Sequence, residues 1–274
     1  MRLWKKFFGG GSKLPRVAPD TLQSVPLAVP SQGLAAGALS INPKDGAEMV
    51  YVPAGEFLMG DGDFEFNPLR TVTLDAFWIY KHDVTADQYR TFCHATGRKM
   101  LTAQYRWSKR DHPVVNVTWE DAKTYCDWAG VSLPTEAQWE KAARGTDGRK
   151  YPWLNEWDPG KLSCFAGSMR KDTSPVGSFP AGASPYGCLD VEGNVYQWCA
   201  DYCDLDYLKS APSANPTGPP SGFGRVLRGG PWFLGAPNYF RRAFRAGGDA
   251  RHSGYYIGFR AARVGVETKA DEQV

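Results

Sequence analysis

Two neighbouring stretches decide the local structure of this chain: HPVVNVTWEDAKTYCDWAG, His112 to Gly130, and LPTEAQWEKAARG, Leu133 to Gly145. Each contains a threonine followed three residues later by Asp or Gln, in Thr118–Asp121 and Thr135–Gln138. The threonine hydroxyl can accept the third helical N–H, while the later side chain reaches back to the threonine N–H. Each stretch therefore predicts a helix that begins directly after its threonine.

The same pattern occurs upstream at Thr85–Gln88. Apolar residues follow each start at helical spacing, which places them on one face of the helix. These residues are Tyr89, Phe92 and Cys93 in the first helix, Trp119, Ala122, Cys126 and Ala129 in the second, and Trp139, Ala142 and Ala143 in the third. The sequence thus predicts three short helices.

Strand-like runs lie on both sides of these helices. MVYVP from Met49, EFLMG from Glu56 and the run Thr71–Tyr80 precede them, and Arg225–Gly230 and Tyr255–Val264 follow. Between Gly145 and the C-terminus regular periodicity is scarce, but tryptophan, tyrosine and phenylalanine are frequent. Such rings can form a core where regular elements are few.

Length, charge and cysteine content restrict the class of protein. The 274 residues carry a net charge of +3. All five charged residues among the first 16 are basic, so the remaining chain is close to neutral and does not favour nucleic acid as a partner. No apolar run approaches the roughly 20 residues of a membrane span. Six cysteines without metal-site spacing indicate free thiols. We expect a cytoplasmic monomer.

Composition divides the chain into three parts. Residues 1–46 combine a basic, aromatic N-terminus with a proline-rich linker, residues 47–266 form the folded domain, and residues 267–274 are a polar tail. Residues 1–8 mix basic and apolar side chains. Association with a membrane surface or a phage particle is therefore the alternative to a cytoplasmic location.

Seven motifs, in order, resemble the formylglycine-generating-enzyme, or sulfatase-modifying-factor, family. Besides the two stretches above they are GEFLMG (Gly55 to Gly60), SPVGSFP (Ser174 to Pro180), GNVYQWCAD (Gly193 to Asp201), RVLRGGPW (Arg225 to Trp232) and IGFRAAR (Ile257 to Arg263). The resemblance implies an α+β, C-type-lectin-like fold. Such a fold is loop-rich, with two to three short helices around a small twisted antiparallel sheet.

The resemblance also bears on catalysis. In the copper-dependent oxidases of this family, two cysteines bind the metal at the positions that Leu234 and Tyr239 occupy here, and no cysteine follows Cys203. Cu(I) prefers thiolate or thioether ligands. Residues 1–48 contain no histidine, so the helical domain that the family's iron oxygenases require is also missing. We therefore predict no catalytic residue and a protein that is not an enzyme.

The branch that fits is the variable protein of a diversity-generating retroelement, of bacterial or phage origin. Adenine-directed mutagenesis rewrites many codons of a C-terminal segment in such proteins, and the matching segment is Gly229–Arg260. Rewriting the adenines of AAC-type codons never yields Lys, Glu, Gln or Met, and Pro231–Arg263 contains none of them. The predicted framework residues are Gly229, Gly230, Trp232, Arg241, Arg245, Arg251, Gly258, Phe259 and Arg260. The predicted variable, ligand-binding residues are Phe233, Leu234, Gly235, Ala236, Asn238, Tyr239, Phe244, Ala246, Gly247, His252, Ser253, Tyr255 and Tyr256.

This composition indicates the kind of partner. Rigid aromatic rings among small residues are typical of an antibody paratope, so we expect a protein ligand. Trp232 and Phe259 should lie in the core. Tyr255 and Tyr256, adjacent on a predicted strand, should face opposite ways. Nucleic acid bound through arginine and stacking rings is the rival. The alternative functions are a non-diversified, inactive interaction module of the same family and an oxidoreductase of the formylglycine-generating type.

One metal site is implied by the resemblance. The loop from Asp190 to Gln197 matches a calcium loop of the oxidases, with Asp190, the carbonyl groups of Gly193 and Val195, and Gln197 as ligands. Calcium prefers carboxylate and carbonyl oxygens. Because Gln197 stands where the family has a glutamate, we expect weak or absent calcium and no other cofactor.

Overall fold

The computed structural model describes residues 34–60, 67–99, 109–168, 171–241 and 244–265. Its helices are α1 (Ala86–Thr96), α2 (Trp119–Ala129), α3 (Glu136–Arg144), α4 (Phe165–Ser168) and α5 (Tyr207–Ser210). Its strands are β1 (Leu39–Ile41), β2 (Glu48–Val52), β3 (Gly55–Met59), β4 (Arg70–Leu74), β5 (Phe77–Tyr80), β6 (Tyr196–Tyr202), β7 (Arg225–Arg228), β8 (Ala246–Gly248), β9 (Ile257–Gly258) and β10 (Ala262–Val264). None of the described helices is long and apolar enough to cross a bilayer.

The described strands form three sheets. Two sheets have four strands each, in the orders β1-β2-β5-β10 and β8-β7-β6-β9, and β3 pairs with β4 alone. All strand pairs are antiparallel except β6 and β9. Every residue of β5 is buried, as expected of a strand covered on both faces. The mixed, loop-rich α+β architecture predicted from the sequence is confirmed.

The three predicted helix starts are confirmed. Thr85, Thr118 and Thr135 are the N-caps of α1, α2 and α3, and each forms both hydrogen bonds of a capping box. Helices α1 and α2 then pack through their apolar faces, where the rings of Tyr89 and Tyr125 stack 5.8 Å apart. Local capping chemistry therefore sets where these helices begin.

The folded region begins earlier than the predicted boundary at residue 47. Strand β1 lies within the predicted linker and pairs with β2, with Leu39 opposite Val50. Asp45 accepts hydrogen bonds from the hydroxyl groups of Tyr80 (2.7 Å) and Tyr125 (2.6 Å). Such long-range contacts leave no local pattern in the sequence, so composition alone misplaced the boundary. Residues 1–33 and the tail 266–274 lie outside the described residues.

Two predicted runs also differ from the observed strands. The run Thr71–Tyr80 divides into β4 and β5, which belong to different sheets. Tyr255 and Tyr256 lie in a turn before β9 and not on a strand. Their rings contact each other edge to face, 5.2 Å apart, so they do not face opposite ways.

Candidate functional site

The C-terminal segment Gly229–Arg260 leaves β7 in a tight turn. Gly230 has a φ of +73°, and a Cβ atom there would lie 3.0 Å from both the Phe240 ring and the Tyr239 carbonyl oxygen. Trp232 and Phe259 are buried, as predicted. These residues anchor both ends of the segment to the core.

Buried charges hold the middle of the segment in place. The guanidinium of Arg245 donates from Nε and Nη2 to the two carboxylate oxygens of Glu136, each at 2.9 Å. Arg228 joins Glu136 to Glu140 through bonds of 3.0 and 2.9 Å. Arg144 bonds the other oxygen of Glu140 at 3.0 Å. We call these five residues the ion chain; positive and negative groups alternate along it, so each carboxylate contacts two guanidinium groups.

The ion chain sets the protonation of two buried carboxyl groups. Burial favours the neutral form of Glu136, but Arg245 and Arg228 outweigh it and hold its pKa below the ordinary value. Burial, with the negative charge of Glu136 next to it, raises the pKa of Asp201 to about 7. Asp201 Oδ2 accepts the backbone N–H of Glu136 at 2.8 Å. One carboxyl is therefore charged and its neighbour titrates near neutral pH.

Arg260 holds the C-terminal end of the segment in place. Its fully buried guanidinium donates to Gln197 Oε1 at 2.7 Å and to the Leu189 carbonyl at 2.8 Å, and it lies 3.4 Å from Asp83 Oδ1. These partners come from β6 and from two loops. The arginine thereby ties the end of the segment to three separate parts of the chain.

Above this framework four rings form a cluster that we call the aromatic surface: Phe233, His252, Tyr255 and Tyr256. Phe233 meets Tyr256 edge to face at 5.3 Å, and the Tyr256 hydroxyl lies 3.1 Å from His252 Nε2. The ring of Tyr255 is 49% exposed. Buried Trp232 lies 6.1 Å from Tyr255, beneath the cluster. Edge-to-face contacts at these distances are an arrangement that aromatic side chains prefer.

The other predicted variable residues divide into three groups. Ala236, Asn238 and Ser253 are exposed, whereas Leu234, Gly235, Tyr239 and Phe244 are half-buried. Ala246 and Gly247 are buried in β8, where a Cβ on Gly247 would lie 2.7 Å from Cys203 Sγ. The structure thus places these last two inside the fold, on the edge strand β8, which pairs with β7.

Leu234 and Tyr239 occupy the two positions that the resemblance assigns to copper-binding cysteines, and both make apolar contacts. Leu234 and Tyr239 pack against a buried cluster that contains Leu162, Cys164 and Phe240. A leucine and a tyrosine offer no soft sulfur ligand. The residues at these two positions therefore do not fit copper.

In the candidate calcium loop, the side-chain oxygen of Gln197 is already used as a hydrogen-bond acceptor. Gln197 Oε1 accepts from Trp139 Nε1 and from Arg260 Nε, both at 2.7 Å. A cation bound at this oxygen would face a guanidinium at hydrogen-bond distance. Asp190 Oδ2 accepts the Gly177 N–H at 2.6 Å. Gln197 therefore does not fit as a calcium ligand, and among the described residues no group of three or more acidic, histidine or cysteine side chains could hold a metal.

Phe165 was not among the predicted site residues. This residue begins α4, far from the C-terminal segment in the chain, yet its N–H donates to the Leu234 carbonyl at 2.9 Å. Its ring is 49% exposed. No local pattern marks Phe165 in the sequence, since only the tertiary fold brings α4 beside residues 233–235.

Comparison with known proteins places these features in a family. Residues 35–264 match the model of the sulfatase-modifying factor enzyme 1-like domain. Serine/threonine-protein kinase Pkn1 of Chlamydia trachomatis is 38% identical over 68% of this chain. The chain spans only 33% of that kinase. The formylglycine-generating enzyme of Thermomonospora curvata is 32% identical, over 78% of this chain and 92% of the enzyme.

Solved structures share the fold. PvdO from Pseudomonas aeruginosa matches with a TM-score of 0.75 and 29% identity, over 85% of this chain and all of that one. Treponema denticola variable protein 1 matches with a TM-score of 0.69 and 23% identity, over 83% of this chain and 99% of that one. The likeness to the second protein shows the fold alone. The predicted C-type-lectin-like fold of the formylglycine-generating-enzyme type is confirmed.

These relatives correct one prediction. The expectation that the chain is not an enzyme is contradicted, because relatives that align with most of it are named formylglycine-generating enzymes. The side chains at positions 234 and 239 exclude a thiol pair there and nothing more. This chain belongs to the sulfatase-modifying factor enzyme 1-like domain family.

Proposed function

We propose that this protein binds a protein ligand through the aromatic surface, and that retroelement-directed adenine mutagenesis varies the exposed positions of the segment Gly229–Arg260. One observation carries the proposal: buried residues anchor both ends of the segment, while the rings of the aromatic surface between them are half-buried or exposed. Trp232, Phe259 and Arg260 lie inside the fold, whereas Tyr255 is 49% exposed. A surface can vary without loss of the fold when its framework is anchored in this way.

The packing of the rings supports binding of a protein. Phe233, Tyr255 and Tyr256 hold one another in place, so little side-chain entropy is lost when a partner covers them. Tyrosine adds hydroxyl groups that can bond to a polar partner. A rigid and amphipathic surface of this kind suits many different protein partners.

The charges near the aromatic surface favour protein over nucleic acid. Arg251 forms a two-pronged pair with Asp249, with bonds of 3.1 and 2.8 Å. Arg245 is buried against Glu136. Phosphate binding depends on uncompensated lysine and arginine, and each of these two arginines has a carboxylate partner.

Composition and fold support the diversification. Pro231–Arg263 lacks Lys, Glu, Gln and Met, the residues that AAC-type rewriting cannot produce. The fold is shared with a protein named variable protein 1, from Treponema denticola. The cytoplasmic location and the monomeric state remain predictions.

The first experiment is to sequence the DNA around the gene in several isolates. We expect a nearby near-copy of the codons for Gly229–Arg260 that differs only at adenines, beside a reverse-transcriptase gene. An unchanging segment with no such copy would instead support a fixed interaction module.

A second experiment measures binding directly. One library randomises Phe233, His252, Tyr255 and Tyr256, and a control library randomises three exposed residues of α2, Glu120, Lys123 and Asp127. Both are displayed and selected against a defined folded protein, such as hen lysozyme. We expect binders from the first library only. Equal recovery from both would contradict the assignment of the surface.

The second candidate function is the activity for which the relatives are named, oxidation of a peptide cysteine to formylglycine. The alignment with a formylglycine-generating enzyme over 78% of this chain favours it. The test is to incubate the full chain with a cysteine-containing peptide, Cu(I), O2 as oxidant and a thiol as reductant, and to follow conversion of the cysteine –CH2SH group to an aldehyde, with release of sulfide and water, by mass spectrometry. If turnover occurs, Cys164, which lies in the same cluster as Leu234 and Tyr239, is the first residue to replace.

A further inference from the structure

A phenylalanine outside the segment Gly229–Arg260 lies beside residues 234–235 of that segment. Phe165 in α4 is joined to the C-terminal segment by the hydrogen bond from its N–H to the Leu234 carbonyl, 2.9 Å long. The next residues also meet, since a Cβ atom on Gly235 would lie 3.4 Å from Ala166 Cβ. We infer that Phe165 is a fixed part of the ligand-binding surface and contacts protein partners together with the variable residues. This inference rests on the proposed function.

The position of Phe165 is set by the packing around it. Cys164, directly before it, is fully buried in the cluster with Leu162 and Phe240. Two residues later, a Cβ on Gly167 would overlap the Pro159 carbonyl oxygen. Because both sides of Phe165 are held so closely, its ring stays at the surface and does not fold inward.

The exposure of the ring leaves it accessible to a partner that approaches the neighbouring variable residues. Phe165 is 49% exposed, and Ala166 and Gly167 beside it are exposed and small. Burial of a phenylalanine ring in an interface is among the larger favourable contributions a single side chain makes. Small neighbours leave the ring accessible to a partner that approaches residues 233–235.

Phe165 lies outside the segment Gly229–Arg260, so rewriting of that segment leaves it unchanged. Every variant of the surface would therefore keep the same ring at its border. A constant anchor supplies part of the affinity, while Phe233, Tyr255 and Tyr256 supply the selectivity. The variable positions then need to contribute less binding energy for each new partner.

Charge decides the class of partner. Lys161, the basic residue four positions before Phe165, lies 3.8 Å from Asp158, and Arg251 is paired with Asp249 at 2.8 Å. Both cationic groups have an anionic neighbour, so neither adds an uncompensated positive charge beside these rings. The fitting occupant is a folded protein that presents an uncharged, apolar side chain to Phe165.

The experiment compares two versions of the library at Phe233, His252, Tyr255 and Tyr256. One version keeps Phe165 and the other carries Phe165→Ser; both use the full chain and are selected against immobilised hen lysozyme. Phe223→Ser is the matched control, since Phe223 has the same side chain and is 47% exposed. Thermal unfolding of each parent chain checks that it folds.

We expect Phe165→Ser to weaken most selected clones about tenfold or more, which corresponds to about 1.4 kcal/mol. Phe223→Ser should change Kd less than about twofold, and Phe165→Leu, which keeps an apolar side chain, should recover most of the affinity. If Phe165→Ser itself unfolds the chain, Phe165→Leu and Phe165→Gln decide the matter, since only the polar variant should weaken binding.

Three results would overturn the inference. Clones with equal affinity with and without Phe165 would remove it from the surface while leaving the proposed function intact. Preferential recovery of clones on an immobilised single-stranded oligonucleotide would assign the surface to nucleic acid. Failure of every library to give binders, with the chains folded, would overturn the proposed function itself.

Discussion

Two parts of the C-terminal segment use their side chains in opposite ways. At Arg245 the guanidinium is buried and forms two hydrogen bonds with one carboxylate, whereas at Tyr255 the ring is half exposed and contacts the rings of neighbouring residues. Arg245 therefore supports the fold, whereas Tyr255 is accessible at the surface. The difference shows that charge in this segment supports the fold, while the aromatic residues are available to a partner.

The largest change should come from breaking the ion chain. Glu136→Ala removes the carboxylate shared by Arg245 and Arg228 and leaves two buried guanidinium groups without it. We expect a loss of about 3–5 kcal/mol in the free energy of unfolding, measured with urea. Glu120→Ala, at an exposed position of α2, is the control and should change it little. A small effect of Glu136→Ala would mean that the ion chain is not what holds the segment.

The next effect depends on pH. The pKa of Asp201 in the folded protein is about 7, above the roughly 3.9 of an unfolded aspartic acid. Between these two values the folded state keeps the proton that the unfolded state has lost, so this group makes stability fall as pH rises from about 4 to about 7. Above about pH 7 the loss is complete.

Asp201→Asn should therefore stabilise the protein at high pH. The asparagine oxygen can still accept the Glu136 N–H, but the negative charge next to Glu136 is gone. We expect a gain of about 1–3 kcal/mol at pH 8 and a smaller gain at pH 5, from urea unfolding at both values. Asp127→Asn, at an exposed site, should show no such trend. A gain independent of pH would contradict the assigned titration.

A smaller effect on stability is expected at the aromatic surface. Tyr255→Ala removes a ring that is 49% exposed and should cost less than about 1 kcal/mol. Combined with alanine at Phe233 and Tyr239, it should abolish binding to a selected ligand, as measured by surface plasmon resonance. Unchanged affinity in the triple variant would show that the ligand binds elsewhere.

The smallest effect should follow loss of the exposed ion pair. Arg251→Gln breaks the contact with Asp249, where the arginine side chain is 71% exposed. Solvent screens such pairs, so we expect no measurable shift in Tm. A clear fall in Tm would indicate that Arg251 supports the fold in the same way as Arg245.

Features set by groups close together in the chain could be predicted from the sequence, whereas features set by strand pairing could not. The helix starts at Thr85, Thr118 and Thr135 depend on groups three residues apart, and all three were predicted correctly. The burial of Trp232 and Phe259 followed from the family pattern. Strand β1 pairs with the next strand, β2, but lies in a stretch whose composition predicted a linker, and the burial of Ala246 and Gly247 depends on pairing with β7, so both were predicted wrongly.

The family was also evident from motifs in the sequence, but the broader function was not. Leu234 and Tyr239 led to the prediction that the chain is not an enzyme, which its named relatives contradict. A substitution at two positions tests one mechanism and says nothing about the rest of the site. The absence of cysteine at these two positions therefore excludes a thiol pair there, but it does not exclude enzyme activity.

The sequence by itself determined the helix starts and the α+β class, because these depend on short spacings and residue types. The tertiary structure alone decided that Arg245 pairs with Glu136, that Tyr255 contacts Tyr256, and that Phe165 lies beside Leu234. The first and the last of these contacts join residues far apart in the chain. Their proximity is set by packing of the whole fold, which no local pattern encodes.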